Sequence, residues 1–176
     1  MERSDDRQRF EALFDAHRRT VLAYALRRVD DPADAADVVA ETFLTAWRRL
    51  GDVPAEPRPW LLGVARRVLA NQRRGARRRT GLAERLGHEL ATEPLAPPSD
   101  ADLAVRRALA RLSDEDREVL LLSGWEGLTP GEIATVIGMR AVTVRSRLHR
   151  ARRRLRVELD AARPRGTIDF AEELSA

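Results

Sequence analysis

Apolar residues recur at steps of three and four along most of this chain, the period of a helix buried on one face. Phe10, Leu13, Phe14, His17, Val21 and Ala25 make the first such stripe, closed by Asp30, Asp31 and Pro32. A second runs from about Ala33 to Leu50 and stops at Gly51 and Asp52. The stretch from Val53 to Pro59 predicts a loop, with Pro59 placed to open a third helix from Trp60 to about Arg74. From about Thr80 to Asp100 the period is lost, and the proline-rich run from Thr92 reads as a flexible linker. A short helix over about Leu82 to Leu90 is also predicted there.

Helical period returns from about Ala101 to Leu112. Ser113, with Asp116 three residues on, predicts an N-cap opening a helix from Glu115 to about Ser123. Thr129, Pro130 and Glu132 predict a fuller capping box, a short helix from Gly131 to Ile137, and a stop at Gly138. A last helix is expected from about Ala141 to Leu159, followed by a tail from Pro164. The fold class is therefore all-α: two small helical modules joined by a flexible linker, the C-terminal one a helix-turn-helix. The boundaries expected are 1–79, a linker at 80–100, 101–160, and a tail at 161–176.

Composition narrows the function classes. A chain of 176 residues with 43% hydrophobic content suffices for one ordinary domain or two small ones. The 32 bases, all of them Arg, exceed the 28 acids by only four, so what matters is where the charge sits. With no Cys there is no disulfide framework, thiolate metal site or Cys nucleophile. His17, His88 and His149 lack the close pairing of a zinc motif. Without a nucleophile–base or metal constellation the chain does not read as an enzyme, and neither a metal nor a cofactor is expected. No apolar run nears the ~20 residues of a membrane span, and the N-terminus is unlike a signal peptide, so a cytoplasmic protein without membrane insertion is expected.

A short capped helix, a turn at Gly138 and a long basic helix have the layout of a DNA-binding helix-turn-helix. At about 100° per residue, Val144, Leu148, Ala151 and Leu155 fall on one stripe. Ser146, His149, Arg150 and Arg153 fall opposite, flanked by Thr143 and Arg145. Between Arg140 and Arg156 stand eight Arg and no acid. Such a helix fits a major groove, where Arg forks to guanine or clamps phosphate. The competing reading is an Arg-rich solvated face paired with acids elsewhere.

Two other stretches segregate charge. Between Pro57 and Ala83 there is no acid and there are eight Arg. There Arg67, Asn71 and Arg74 line up opposite the stripe of Leu61, Val64, Ala65, Val68 and Leu69. Asn within an Arg-lined face suits a base edge; a solvated surface is the alternative. Asp34, Asp37 and Glu41 lie within a narrow arc on the second helix, opposite Val39, Phe43, Ala46, Trp47 and Leu50. An acidic ridge on a DNA-binding chain suits a basic partner protein; a solvated face and a carboxylate metal site are the other readings.

These pieces, in this order, resemble the extracytoplasmic-function (ECF) sigma factors of bacterial RNA polymerase, over about Phe10 to Leu159. Residues 31–50 are similar to the family's core-polymerase-binding segment, 59–74 to its minus-10 segment, and 128–155 to its minus-35 helix-turn-helix. The resemblance implies that Asp34, Asp37 and Glu41 contact the clamp helices of the largest polymerase subunit. It implies that Asn71 captures an unstacked base of the non-template strand, with Arg67 and Arg74 near the backbone. It places Thr143, Arg145, Ser146, His149, Arg150 and Arg153 in the major groove of the minus-35 element. Core RNA polymerase and promoter DNA are the implied partners, and an anti-sigma protein the expected regulator. The chain departs from the family pattern at Val142, where Gly is usual, and at Arg67, where Asn is frequent. The rival reading is a stand-alone helix-turn-helix regulator that binds duplex DNA without polymerase.

Overall fold

A computed structural model describes residues 2–29, 31–83 and 100–162, and among them the chain forms seven α-helices, one 3-10 turn at Leu50–Asp52 and no strand. The helices are α1 (Glu2–Leu26), α2 (Pro32–Arg48), α3 (Pro57–Ala83), α4 (Asp100–Ala110), α5 (Asp114–Gly124), α6 (Pro130–Ile137) and α7 (Ala141–Ala162). Of the linker expected at 80–100, residues 80–83 continue α3 and Asp100 opens α4, and α7 takes the first two residues of the tail expected at 161–176; the rest of both, with most of the expected helix over 82–90, lies outside the described residues.

α1, α2 and α3 pack on one another as the first module. Asp31 caps α2 by accepting from the Ala33 amide at 2.8 Å, and Pro32 takes the first helical position, where no amide hydrogen is needed. Phe14 meets Phe43 edge-on with centroids 4.8 Å apart, and Phe10 meets Trp47 at 5.2 Å. Edge-to-face pairs of this kind add about 0.5–1.5 kcal/mol each beyond the area they bury. Leu61, Leu62, Val64, Ala65 and Leu69 of α3 are buried. Trp47 and Leu50, both expected inside, divide: Leu50 is buried, whereas Trp47, at the end of α2 with Phe10 edge-on against it, is 45% exposed.

α3 starts at Pro57 rather than Trp60 and continues past Arg74 to Ala83. Both Pro57 and Pro59 lie in the first turn, whose amide hydrogens have no intrahelical acceptor, so neither proline costs the helix a bond. Beyond Arg74 the run is mostly Arg and Ala, which favour helix enough to outweigh Gly75 and Gly81.

The second module is α4 to α7. Ser113 caps α5 as expected, accepting from the Asp116 amide. The Asp116 carboxylate reaches across to Arg154 of α7 and is buried there. Arg117 closes the end of α4, donating to the carbonyls of Leu109 (2.8 Å), Ala110 (3.0 Å) and Leu112 (3.1 Å). α6 carries the complete capping box: Thr129 Oγ1 accepts from the Glu132 amide, and the Thr129 amide donates to Glu132 Oε2 at 2.8 Å. Gly138 ends α6 at φ 72°, a left-handed conformation that costs Gly nothing.

The modules are not separate bodies. α3 lies against α6, and one continuous buried cluster runs from Val21, Leu61 and Leu62 to Ile133, Val136, Val144 and Leu148. A Cβ at Gly63 would stand 3.4 Å from the Val136 carbonyl oxygen, so the absence of a side chain there sets how closely the two helices approach.

The capping box makes a measurable prediction. Hydrogen bonds from the Thr129 hydroxyl and amide hold the Glu132 carboxyl below its ordinary range. A depressed folded-state value stabilises above the unfolded carboxylate pKa and is lost as pH falls through the folded one. Thr129→Ala is expected to cost about 1 kcal/mol in urea unfolding at pH 7. The gap to wild type should narrow as the pH falls below the ordinary carboxylate range and Glu132 protonates. A gap that stays constant with pH would contradict the charge-assisted box.

Candidate nucleic-acid interface

α7 sorts its side chains as the helical wheel requires. Val144, Leu148 and Ala151 are buried against the module and Leu155 is half-buried. Arg145, Ser146, His149, Arg150 and Arg153 are exposed on the other side, and Thr143 is half-buried at its edge. Val142 is 57% exposed in the first turn of α7 and keeps a negative φ, so the turn survives a β-branched residue there.

Six of the eight Arg of this segment fall into two kinds. Arg147 pairs with Glu115, Arg154 with Asp116, and Arg152 donates to Ser123 Oγ at 3.2 Å. Those three tie α7 to α5. The outward set of Arg145, Arg150 and Arg153 is the part of the charge presented away from the module, which sequence spacing alone does not separate from the first set.

α3 presents Arg67, Asn71 and Arg74 on its exposed side, opposite the buried stripe. Arg74 donates to the Asn71 side-chain oxygen, which joins two of the three into one polar group. Arg73 turns back and donates to the carbonyl of Arg28 at 3.0 Å, fixing the end of α1 beside α3. On α2, Asp34, Asp37 and Glu41 are exposed, and none of the ion pairs among the described residues involves them. Among the described residues no group of three or more metal-ligating side chains is placed to hold an ion. No described helix is long and apolar enough to cross a membrane.

The structure also assembles a cluster that periodicity could not show, because its partners across the two modules lie 68 to 99 residues apart. Arg27 donates to Glu126 Oε1 at 2.6 Å, and Arg28 stands 3.6 Å from the same oxygen. Arg28 also forks onto Glu118, with both contacts at 3.3 Å, and lies over the Tyr24 ring at 3.6 Å. Tyr24 donates to Glu118 Oε1 at 3.0 Å, and Arg58 to the Glu126 carbonyl at 2.5 Å. Burial, then the neighbouring Glu118, pushes the Tyr24 hydroxyl far above its usual range, so it remains a donor. His17 is pushed below its ordinary range, first by burial and then by the Arg58 charge. In the sequence the cluster shows only as separate charges, Arg27 and Arg28 after α1 and Glu126 beside Trp125, with no spacing to join them.

Comparison with known proteins joins these surfaces to a family. Residues 13–79 match the Sigma-70 region 2 family, and residues 102–155 match Sigma-70, region 4. The chain is 40% identical over 158 residues to the ECF RNA polymerase sigma factor SigL of Mycobacterium tuberculosis, covering 84% of this chain and 87% of the relative. It is 33% identical over 155 residues to the RNA polymerase sigma-E factor of Streptomyces coelicolor, covering 86% of each. Among solved structures it is similar to CnrH, in complex with the cytosolic domain of CnrY, at 29% identity and a TM-score of 0.60, with 87% of this chain and 88% of that chain covered. The sigma factor RpoE of Bartonella quintana, in complex with the anti-sigma factor NepR, shares the fold at 24% identity and a TM-score of 0.67, over 88% of this chain and 98% of that chain. Both halves, their order and nearly full-length relatives agree, and the chain belongs to the ECF RNA polymerase sigma factors.

Proposed function

We propose that this sigma factor docks on core RNA polymerase through Asp34, Asp37 and Glu41, reads the minus-10 element through Arg67, Asn71 and Arg74, and reads the minus-35 element through Thr143, Arg145, Ser146, His149, Arg150 and Arg153. In this assignment 1–79 is the polymerase-binding and minus-10 unit, 80–100 the connection, 101–160 the minus-35 unit, and 161–176 a tail. The single observation that carries it is the division of α7, whose buried stripe and inward Arg leave one outward polar face of groove-reading spacing.

Each part does a different physical task. The outward face of α7 forks to base edges and phosphates of duplex DNA and sets where the polymerase lands. The α3 face meets the element that must open. Extruding a base costs a few kcal/mol, and an Asn that hydrogen-bonds the extruded base returns part of that cost to the open state. The acidic ridge cannot face DNA; it suits a basic protein surface, where charge complementarity speeds encounter and fixes register. The protein itself does no covalent chemistry and works in the cytoplasm, where the polymerase and promoter are. By likeness to RpoE with NepR and CnrH with CnrY, an anti-sigma protein holds it inactive. A stand-alone regulator leaves the region 2 match at 13–79 without a task.

Run-off transcription by purified core polymerase on genomic promoters should give discrete starts only when the protein is present. Asp37→Arg, with helicity unchanged by circular dichroism, should abolish them; starts that survive would remove the acidic ridge from docking. At a single promoter the two DNA faces should separate. Arg150→Ala should weaken capture of the minus-35 duplex by about 1–3 kcal/mol, or roughly five- to 150-fold. Asn71→Ala should leave capture intact and reduce permanganate reactivity of the minus-10 thymines. Equal loss of capture by both variants would contradict the division of labour.

A further inference from the structure

The joined form of the two modules cannot be the form that occupies a promoter. Elements at minus-10 and minus-35 are about 25 base pairs apart, or about 85 Å along a duplex. Packed helices approach to about 8–10 Å, and α3 lies directly against α6, the first helix of the helix-turn-helix. One chain with that contact intact cannot place both faces on their elements. The 16 residues between Ala83 and Asp100 reach about 55 Å when extended, and α7 alone adds about 33 Å, so separation is within the chain's length.

What separation uncovers is a set of convergent donors. Arg27 and Arg28 at the end of α1 and Arg58 in the first turn of α3 all point at Glu118 and Glu126 of the second module. The Glu126 carboxylate is almost wholly buried among them. The seat is not filled completely: Arg58 Nε is buried and has no acceptor, while its Nη2 settles for a backbone carbonyl. Two carboxylates and a carbonyl thus occupy a place with more N–H donors than they satisfy. A phosphodiester, with its negative charge spread over two oxygens that each accept several bonds, matches such guanidinium forks.

Resting on the sigma-factor reading above, we propose that Arg27, Arg28 and Arg58 form a seat for a backbone phosphate of promoter DNA, occupied by Glu118 and Glu126 while the chain is shut. Closure and DNA then compete for the same donors. The chain holds itself shut without a partner, and engagement with polymerase and promoter exchanges one anion for another instead of leaving three guanidiniums without an acceptor.

The test uses the full chain and a 25-base-pair duplex of random sequence, because a phosphate contact is independent of sequence. Gly63→Leu forces α3 from the Val136 carbonyl and leaves the seat untouched; Glu118→Gln with Glu126→Gln weakens closure from the charged side. Both should keep wild-type helicity, enlarge the radius of gyration in X-ray scattering and raise duplex affinity several-fold. Adding Arg27→Gln to either opened variant should then lower affinity several-fold and reduce the slope of log affinity against log salt by about 0.9. If Arg27→Gln leaves that slope unchanged, the seat takes no phosphate. If neither opening variant changes size or affinity, closure does not compete with DNA. Polymerase is absent throughout, so these outcomes are separate from the transcription assay, and either background serves if the other fails to fold.

Discussion

The contact between α3 and α6 at Gly63 and Val136 is the constraint on which the rest of this structure depends. It joins two three- to four-helix units, each small enough to be marginal alone, into one buried cluster. It also determines which surfaces remain outside. Gly63 meets the second module near the start of α3, and Arg67, Asn71 and Arg74, one to three turns further along the helix, stay exposed. With Val136 facing the first module, α7 keeps its outward polar face. The shut chain therefore shows both DNA faces while denying them the separation a promoter requires.

Ionic contacts around that apolar centre supply specificity more than net stability. Arg28, Glu126 and much of Glu118 are withdrawn from water, and buried pairs roughly break even against their desolvation. Removing one partner, however, strands the other, at about 3–5 kcal/mol. The interface is thus selective for one register while being poised for exchange with other anions. Arginine serves both sides of this arrangement. Arg147, Arg152 and Arg154 brace α7 on α5, Arg117 closes α4, and Arg145, Arg150 and Arg153 are left to face outward.

Local features were legible in the sequence because they are made by residues close together. The Ser113 cap, the capping box of α6, and the stripes of α3 and α7 all rest on spacings of three and four. Differences arose where a longer reach decides. α3 runs through its expected end because nothing after Arg74 breaks it strongly, and Trp47, on the apolar stripe of α2, is nonetheless open to solvent. Asp116 was legible as a capping acid, yet its carboxylate serves Arg154, 38 residues away. The Arg27–Arg28–Arg58 cluster and its carboxylates were invisible for the same reason: no periodicity links residues that only the packing of α3 on α6 brings together. Roles within the DNA and polymerase faces came from resemblance; spacing supplied only which side chains share a face.

The most direct measurement is the distance between the modules, free and at work. The chain has no Cys, so Ala12→Cys on α1 and Ala110→Cys on α4, both exposed, give two clean spin-label sites. Pulsed electron resonance on the free protein should give one narrow distance. Core polymerase and a double-stranded promoter should move it to a longer one. A free protein already broad, or the same distance persisting in a transcribing complex, would contradict the account.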